Sequence, residues 1–471
     1  MVIDSILNAL GAADSILWGS WTMIFIAAVS VYLTIRARFF QFSKFFFILK
    51  NTIGTIFSKQ KHKGKGIMTP FQATTTALAS TVGMGSIAGV ATALSIGGPG
   101  AIFWMWILAL FGMMSKTAEI TLAVHYREID KNGGIHGGPM FYITKGLGWK
   151  PLAKIFSVSM FINAVFCASL LQSHTVGRAY LASYNINPYL VTGMMALTTA
   201  IVVVGGFKRI GRVCEKLVPL MAVVYVLGGL IIFVANFSEI PAVFTMIVKY
   251  AFAPAPAAGG FAGAILTKTI QEGMAKGMLV NEAGLGTAPM AHATANVEHP
   301  FQQGIWGAFE VFVVSFIICT ITAFAVLSTG MLSSGQSGIE LVITSFSTVL
   351  PLSVSRALLS FAILSFCLST QIGFFIYYET AVLFAFGRKY MRILKWIYFI
   401  PAIIFAGVAN VDKLWVFANI AVGVCSIPNL IAVVFLSGAF FKLMKDYLHN
   451  KNNYATAIVD VQGNYVKRAE A

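Results

Sequence analysis

Residues 80–89 read STVGMGSIAG, in the middle of an apolar stretch that runs from Phe71 to about Leu94. A chain crossing hydrocarbon must pair every backbone N–H and C=O internally, because each freed group costs several kcal/mol. Glycines and hydroxyls at the midpoint work against that requirement. Either neighbouring helices absorb the break or the break is itself a binding site. A second stretch, VNEAGLGTAP at 280–289, interrupts another apolar run about two hundred residues later. The cores GMGS (83–86) and GLGT (284–287) share Gly-x-Gly followed by a hydroxyl. Small-residue packing explains either stretch alone. A matched pair points instead to two discontinuous helices around one ligand.

The composition sets the frame for that reading. Hydrophobic residues make up 58% of the 471 residues and charged residues 11%, and the mean hydropathy is +0.80. These values describe an all-α polytopic membrane protein. The apolar runs are too long for the alternating strands of a β-barrel. Eleven spans are expected, at about 16–35, 67–93, 99–124, 151–182, 189–206, 217–235, 258–295, 301–329, 353–386, 393–410 and 414–441. With the first set aside, the two interruptions fall on the first and sixth of ten core helices. Those are the corresponding positions of two inverted five-helix repeats. The expected organisation is an extra helix and basic segment at 1–66, a core at 67–441 (repeats at about 67–235 and 258–441), and a tail at 442–471.

The net charge of +16 reports topology rather than a nucleic-acid partner. If the basic stretch 36–66 is cytoplasmic, 26 of the 33 Lys and Arg fall in inside segments. That bias gives an outside N-terminus and a cytoplasmic C-terminus. The amino end lacks a basic n-region and a small-residue cleavage site, so its apolar run is expected to stay as a span. The five scattered cysteines contain no CxxC and read as packing residues. No metal-spaced cluster or GxSxG nucleophile motif suggests an enzyme.

Half-helix amino ends offer unpaired N–H groups to a carboxylate, and unwound carbonyls with hydroxyls suit a small cation. A zwitterionic amino acid with sodium fits without fixed charge. In LSTQIGFFIYYE (368–379), Ser369 and Thr370 are adjacent mid-span hydroxyls beside Gln371. Intramembrane charge is costly and therefore informative. Lys116 and Glu119, three apart, read as a helical pair. Glu282 and Glu310 are candidates for coupling or gating, Glu379 is expected to be structural, and His174 either lines the pocket or packs. Lys268, Glu272 and Lys276 on the second broken span are expected to face protein or water.

GGPGAIFWMWILALFG (97–112), GGPMFYITKGLG (137–148), VNEAGLGTAPMAHA (280–293) and SIPNLI (426–431) together resemble the sodium:alanine symporter family. The likeness extends over nearly the whole chain. It implies the leucine-transporter-type fold with an additional N-terminal helix, and sodium-driven uptake of small neutral amino acids across the cell membrane. By that resemblance the substrate site comprises Thr81, Gly83, Met84, Gly85, Ser86, Gln172, Leu279, Asn281, Glu282, Thr370 and Phe374, with Met278 to Glu282 on one side. The sodium ligands would be the Ala79 and Val82 carbonyls and the Ser369 and Thr370 hydroxyls. Sodium is then the coupling ion, with no organic cofactor.

The chain departs from the family pattern at four places. Ser86 stands for an Asn, Phe374 for a Trp, Leu279 for a Phe, and Glu310 for an Asp. Smaller walls at 279 and 374 imply room for larger neutral side chains. Proton coupling within the same fold is the alternative reading, and an ion channel the more distant one.

Overall fold

The computed structural model describes residues 11, 16–56, 66–130, 133–253, 262–404, 406, 412–449, 457–459 and 465–467. The amino-terminal residues 1–10, the lysines at 59–65, part of the tenth expected span and most of the tail lie outside the described residues. The fold is mostly helical. In the first half run α1 (Ser20–Arg36), α2 (Pro70–Thr81), α3 (Val90–Gly97), α4 (Gly100–His125), α5 (Lys150–Asn163), α6 (Gln172–Tyr184), α7 (Pro188–Val203), α8 (Gly206–Ala235) and α9 (Ile240–Phe252). In the second run α10 (Ala262–Asn281), α11 (Pro289–His292), α12 (Pro300–Phe312), α13 (Cys319–Ser328), α14 (Gly338–Ser347), α15 (Leu352–Phe386), α16 (Arg388–Ile397), α17 (Asp412–Phe435) and α18 (Ser437–Leu448). A small hairpin, β1 (Glu128–Ile129) with β2 (Ile135–His136), follows α4.

Local chemistry marks the helix starts. Thr69 closes a capping box with Gln72, and Pro70 opens α2 where no N–H is needed. Asn187 accepts from Tyr189 N at 2.9 Å ahead of Pro188 on α7. His299 Nδ1 accepts from Phe301 N at 3.1 Å ahead of Pro300 on α12.

Five helical stretches among the described residues are long and apolar enough to cross a membrane, and two bent pairs qualify together. One pair is α2 with residues 85–97, bent by 53°. The other is the end of α17 with α18, bent by 62°, and the bend falls inside the expected eleventh span. α8 differs from expectation at its start. It already begins at Gly206, and the basic residues of 207–216 form its first turns rather than a loop. Lys and Arg are good helix formers, and a helix can extend past the hydrocarbon into water.

Burial separates the helices into two shells. α4 and α15 are central, with 83% of their most apolar stretches buried, against 33% for α8. Leu220, Val223 and Leu227 on α8 and Leu190, Met194 and Leu197 on α7 lie exposed. Such a belt of large apolar side chains suits lipid rather than water. α15 has 35 residues, about 52 Å of helix at 1.5 Å per residue, well beyond a hydrocarbon core of about 30 Å. Ser369 and Thr370 lie at its midpoint.

The two interrupted helices are tied together at one end. The Ile67 and Met68 N–H groups donate to Thr294 O, and Asn296 N donates to Met68 O at 2.7 Å. The chain entering α2 therefore pairs with the chain leaving α11. Arg127 Nη1 reinforces the joint by donating to Ala293 O and Ala295 O at 2.9 and 2.7 Å.

Candidate functional site

Both interruptions are present in the backbone. α2 ends at Thr81, Val82 turns to φ −83° and ψ 79°, and a π-helical turn at Gly85–Gly89 leads into α3. That ψ swings the Val82 carbonyl off the helix ladder. At the second, α10 ends at Asn281, and Glu282, Gly284 and Gly286 take φ of 55°, 94° and 75°. π-helical turns also occur at Ala164–Leu171 and Val313–Ile318, where local widening often serves function.

Between the interruptions lies a cavity of about 40 Å³. Thr81, Gly83, Met84 and Gly85 line it from the first break, and Leu279 and Glu282 from the second. Gln172 closes it from α6, and Thr370 and Phe374 from α15. Gln172 Oε1 accepts from Met84 N at 3.2 Å, capturing an amide that the broken helix leaves free. Gly83 is needed here for approach: a Cβ would come within 2.6 Å of Thr370 Oγ1 and 3.1 Å of Gln172 Oε1.

Two expected lining residues sit elsewhere. Ser86 is buried away from the cavity, its carbonyl accepting from Thr322 Oγ1 at 2.9 Å and its hydroxyl lying beside Cys319. The π-helical turn rotates it toward α13. Asn281 also lies outside the lining: its Oδ1 accepts from Ala283 N at 3.0 Å, and its Nδ2 donates to Ser315 Oγ at 3.3 Å. It caps the end of α10. Beside Leu279 and Phe374, Cys167, Leu285 and Val422 complete the wall, and Phe374 packs edge-on against Tyr377.

At the cavity edge, Ser369 Oγ and Thr370 Oγ1 both point at Ala79 O, at 3.3 and 3.0 Å. Three hard oxygens thus meet where α2 begins to unwind. Gln371 faces elsewhere, donating to Ser169 O and Ser173 Oγ at 3.0 and 2.6 Å and accepting from Thr199 Oγ1 at 3.1 Å. It brackets α15 to α6 and α7. His174 is buried but not part of the cavity lining.

The buried charges are arranged differently from the helical pairing expected. Lys116 Nζ meets Glu310 Oε1 at 3.3 Å and Asn281 O at 2.9 Å. Glu119 instead accepts from Asn429 Nδ2 at 2.7 Å, and the same amide nitrogen donates to Gly284 O at 2.9 Å. Tyr142 OH donates to Asn429 Oδ1. Glu310 receives two further bonds, from Thr81 Oγ1 at 2.6 Å and from His292 Nε2 at 3.1 Å. Gln303 Nε2 donates to Pro70 O at 3.3 Å and lies 2.8 Å from His292 Nδ1. An amide nitrogen only donates, so Nδ1 is bare and the ring proton sits on Nε2. Glu282 Oε2 accepts from Thr287 Oγ1 at 2.5 Å. The sequence reading missed His292, Gln303 and Asn429, although His292 and Asn429 lie in the quoted 280–293 and 426–431 stretches.

A larger cavity of about 700 Å³ opens among basic segments, lined by Asp130, Lys208, Phe375, Glu379, Arg388 and Lys395 among others. Arg388 Nη2 meets Asp130 Oδ2 at 2.7 Å across its mouth. Phe375 directly follows Phe374 on α15, so the two cavities lie on consecutive residues of one helix.

The family profile described as "Sodium:alanine symporter family" matches residues 3–460. The chain belongs to the sodium:alanine symporter family. Among similar proteins, the "Sodium/alanine symporter AgcS" of Methanococcus maripaludis is 34% identical, over 95% of this chain and 98% of that one. The "Probable sodium/glutamine symporter GlnT" of Bacillus subtilis is 35% identical, over 94% and 91%. A crystal structure of an Eremococcus coleocola manganese transporter mutant shares the fold, with TM-score 0.52, 12% identity and coverage of 80% and 81%. This member of the family is a multi-pass membrane transport protein.

Proposed function

We propose that the chain imports a small neutral amino acid of the alanine/glycine class together with sodium, by alternating access across the cell membrane. The observation that carries this reading is the corner where Ser369 Oγ and Thr370 Oγ1 converge on Ala79 O beside the cavity. Those atoms with the Val82 carbonyl suit a dehydrated sodium ion. The interrupted backbone at 82–85, whose Met84 amide is held by Gln172 and could exchange that partner for an α-carboxylate, would face the amino acid's charged groups, with Gln172, Glu282, Leu279 and Phe374 as the wall. The cavity walls and the alanine named for the Methanococcus maripaludis relative favour a short neutral side chain, while the glutamine named for the Bacillus subtilis relative marks the longer neutral alternative.

In this reading the core is two inverted five-helix repeats within eleven spans, and α2 and α10 are its discontinuous helices. Sodium at α2 and α15 holds the site ready, substrate completes it, and both leave through the large cavity on the basic, cytoplasmic side. The test is uptake of labelled alanine into proteoliposomes under separately imposed sodium and proton gradients. Sodium-driven accumulation is expected, and accumulation driven by protons alone rejects the coupling. Orientation is tested by impermeant labelling of right-side-out cells, where a cysteine at Ser334 should react and one at Lys208 should not.

A further inference from the structure

Two helix carboxyl ends face each other across the Glu310 cluster. α2 stops at Thr81 and α10 at Asn281, and each such end carries partial negative charge. One cationic side chain enters from a third helix, α4. Lys116 Nζ lies 2.9 Å from Asn281 O and 3.3 Å from Glu310 Oε1, while Thr81 Oγ1 shares that carboxylate oxygen at 2.6 Å. Neither Lys116 nor Glu310 has exposed side-chain surface. A helix-end carbonyl, a carboxylate and a hydroxyl are the donors with which unwound membrane helices hold sodium. Here the cation among them is tethered to the chain.

The packing is cut to admit it. A Cβ on Gly307 would stand 3.0 Å from Lys116 Cγ and 2.5 Å from Ile120 Cδ1, and one on Gly304 2.9 Å from Thr117 O. α12 therefore lies against α4 with nothing between, and the lysine stem runs along the seam. The Lys116 charge also acts on Glu119 and Glu282, which have their own donors in Asn429 and Thr287.

We propose that Lys116 is a built-in cation filling the place of a second coupling ion, so that one sodium accompanies each amino acid. This rests on the sodium-symport reading above, with the mobile ion at the Ala79, Ser369 and Thr370 corner. A tethered ammonium balances Glu310 in the empty and the loaded carrier alike. It adds nothing to what is carried. The cargo of one cycle is a zwitterion and one sodium, hence one positive charge.

The test measures, in proteoliposomes holding fixed sodium and alanine gradients, the membrane potential at which net alanine flux vanishes. One sodium and one charge per alanine are expected. Two sodium ions per alanine overturn the built-in cation and leave sodium symport standing. A flux indifferent to the sodium gradient overturns the symport reading and this inference with it. Lys116→Met vacates the place, so sodium dependence should turn sigmoidal, with the Hill coefficient rising from about 1 toward 2. An unchanged Hill coefficient and stoichiometry in that variant overturn the proposal. If Lys116→Met does not fold, Lys116→Met with Glu310→Gln removes both charges together. That pair should keep one sodium per alanine, and two would overturn the proposal.

Discussion

Lys116 on α4 and Glu310 on α12 meet at 3.3 Å with no exposed side-chain surface on either. Removing one member of such a pair strands the other, typically at ~3–5 kcal/mol. The pair also touches both interrupted helices, through Thr81 and the Asn281 carbonyl. A change at either residue therefore reaches the site from both sides.

Thr370 offers a sharp contrast between two small substitutions. Losing a buried oxygen partner typically costs about 1–3 kcal/mol. Thr370→Ala should raise the sodium concentration for half-maximal alanine uptake severalfold or more. Thr370→Ser keeps the oxygen 3.0 Å from Ala79 O and should change it little. Equal sodium dependence in both variants removes Thr370 from the ligand set.

Gly83→Ala places a methyl 2.6 Å from Thr370 Oγ1. Overpacking of this kind costs about 1–3 kcal/mol, and here it is borne by Thr370 and Gln172, two of the residues that line the cavity. Uptake should fall strongly while purified protein keeps its elution profile and helical content. Uptake equal to that of the unmodified protein would show that Thr370 and Gln172 yield freely.

Selectivity should follow the cavity volume. Alanine and glycine are expected to compete best for labelled alanine uptake, because Cys167, Leu285 and Val422 leave little room beside Leu279. Leu279→Ala opens that wall and should admit longer neutral side chains. Methylene discrimination is worth only ~1–3 kcal/mol, so the rank order can invert. Strong competition by glutamine in the unmodified protein would show that the site widens on binding.

His299 gives a pH signature outside the spans. Its Nδ1 accepts from Phe301 N, so the ring proton on Nε2 faces Asp446 Oδ2 at 3.5 Å. Burial outweighs the attraction of Asp446 and lowers the pKa from 6.5 to about 4. The folded state then binds fewer protons than the unfolded one between those values. Its contribution is intact above about 6.5 and is lost as pH falls toward 4. Melting in detergent should drop across that window, and His299→Asn, which keeps an N-cap acceptor, should flatten the drop.

The breaks were legible because Gly-x-Gly with a hydroxyl is a local pattern, and local patterns survive in one dimension. Ser369 and Thr370 were legible for the same reason. The Lys116 pairing was not: spacing offered Glu119 one turn away, whereas the partner comes from another helix after the chain has folded. Ser86 and Asn281 sit on the right segments but point at α13 and at the end of α10, and a π-helical turn is not written in residue spacing. Val422, which joins Leu279 and Phe374 in the cavity wall, arrives from the far end of the sequence and was equally out of reach of residue spacing.

The joint between residues 67–68 and 294–296 has a mechanical consequence. Backbone bonds and Arg127 clamp the entrance of α2 to the exit of α11, so these two ends move as one plate. Bending of the interrupted helices is then expected at 82–84 and 282–288, where the helical backbone is broken. In amide hydrogen exchange, Ile67, Met68 and Asn296 should stay protected with or without sodium and alanine. The hinge amides should slow only when both are present.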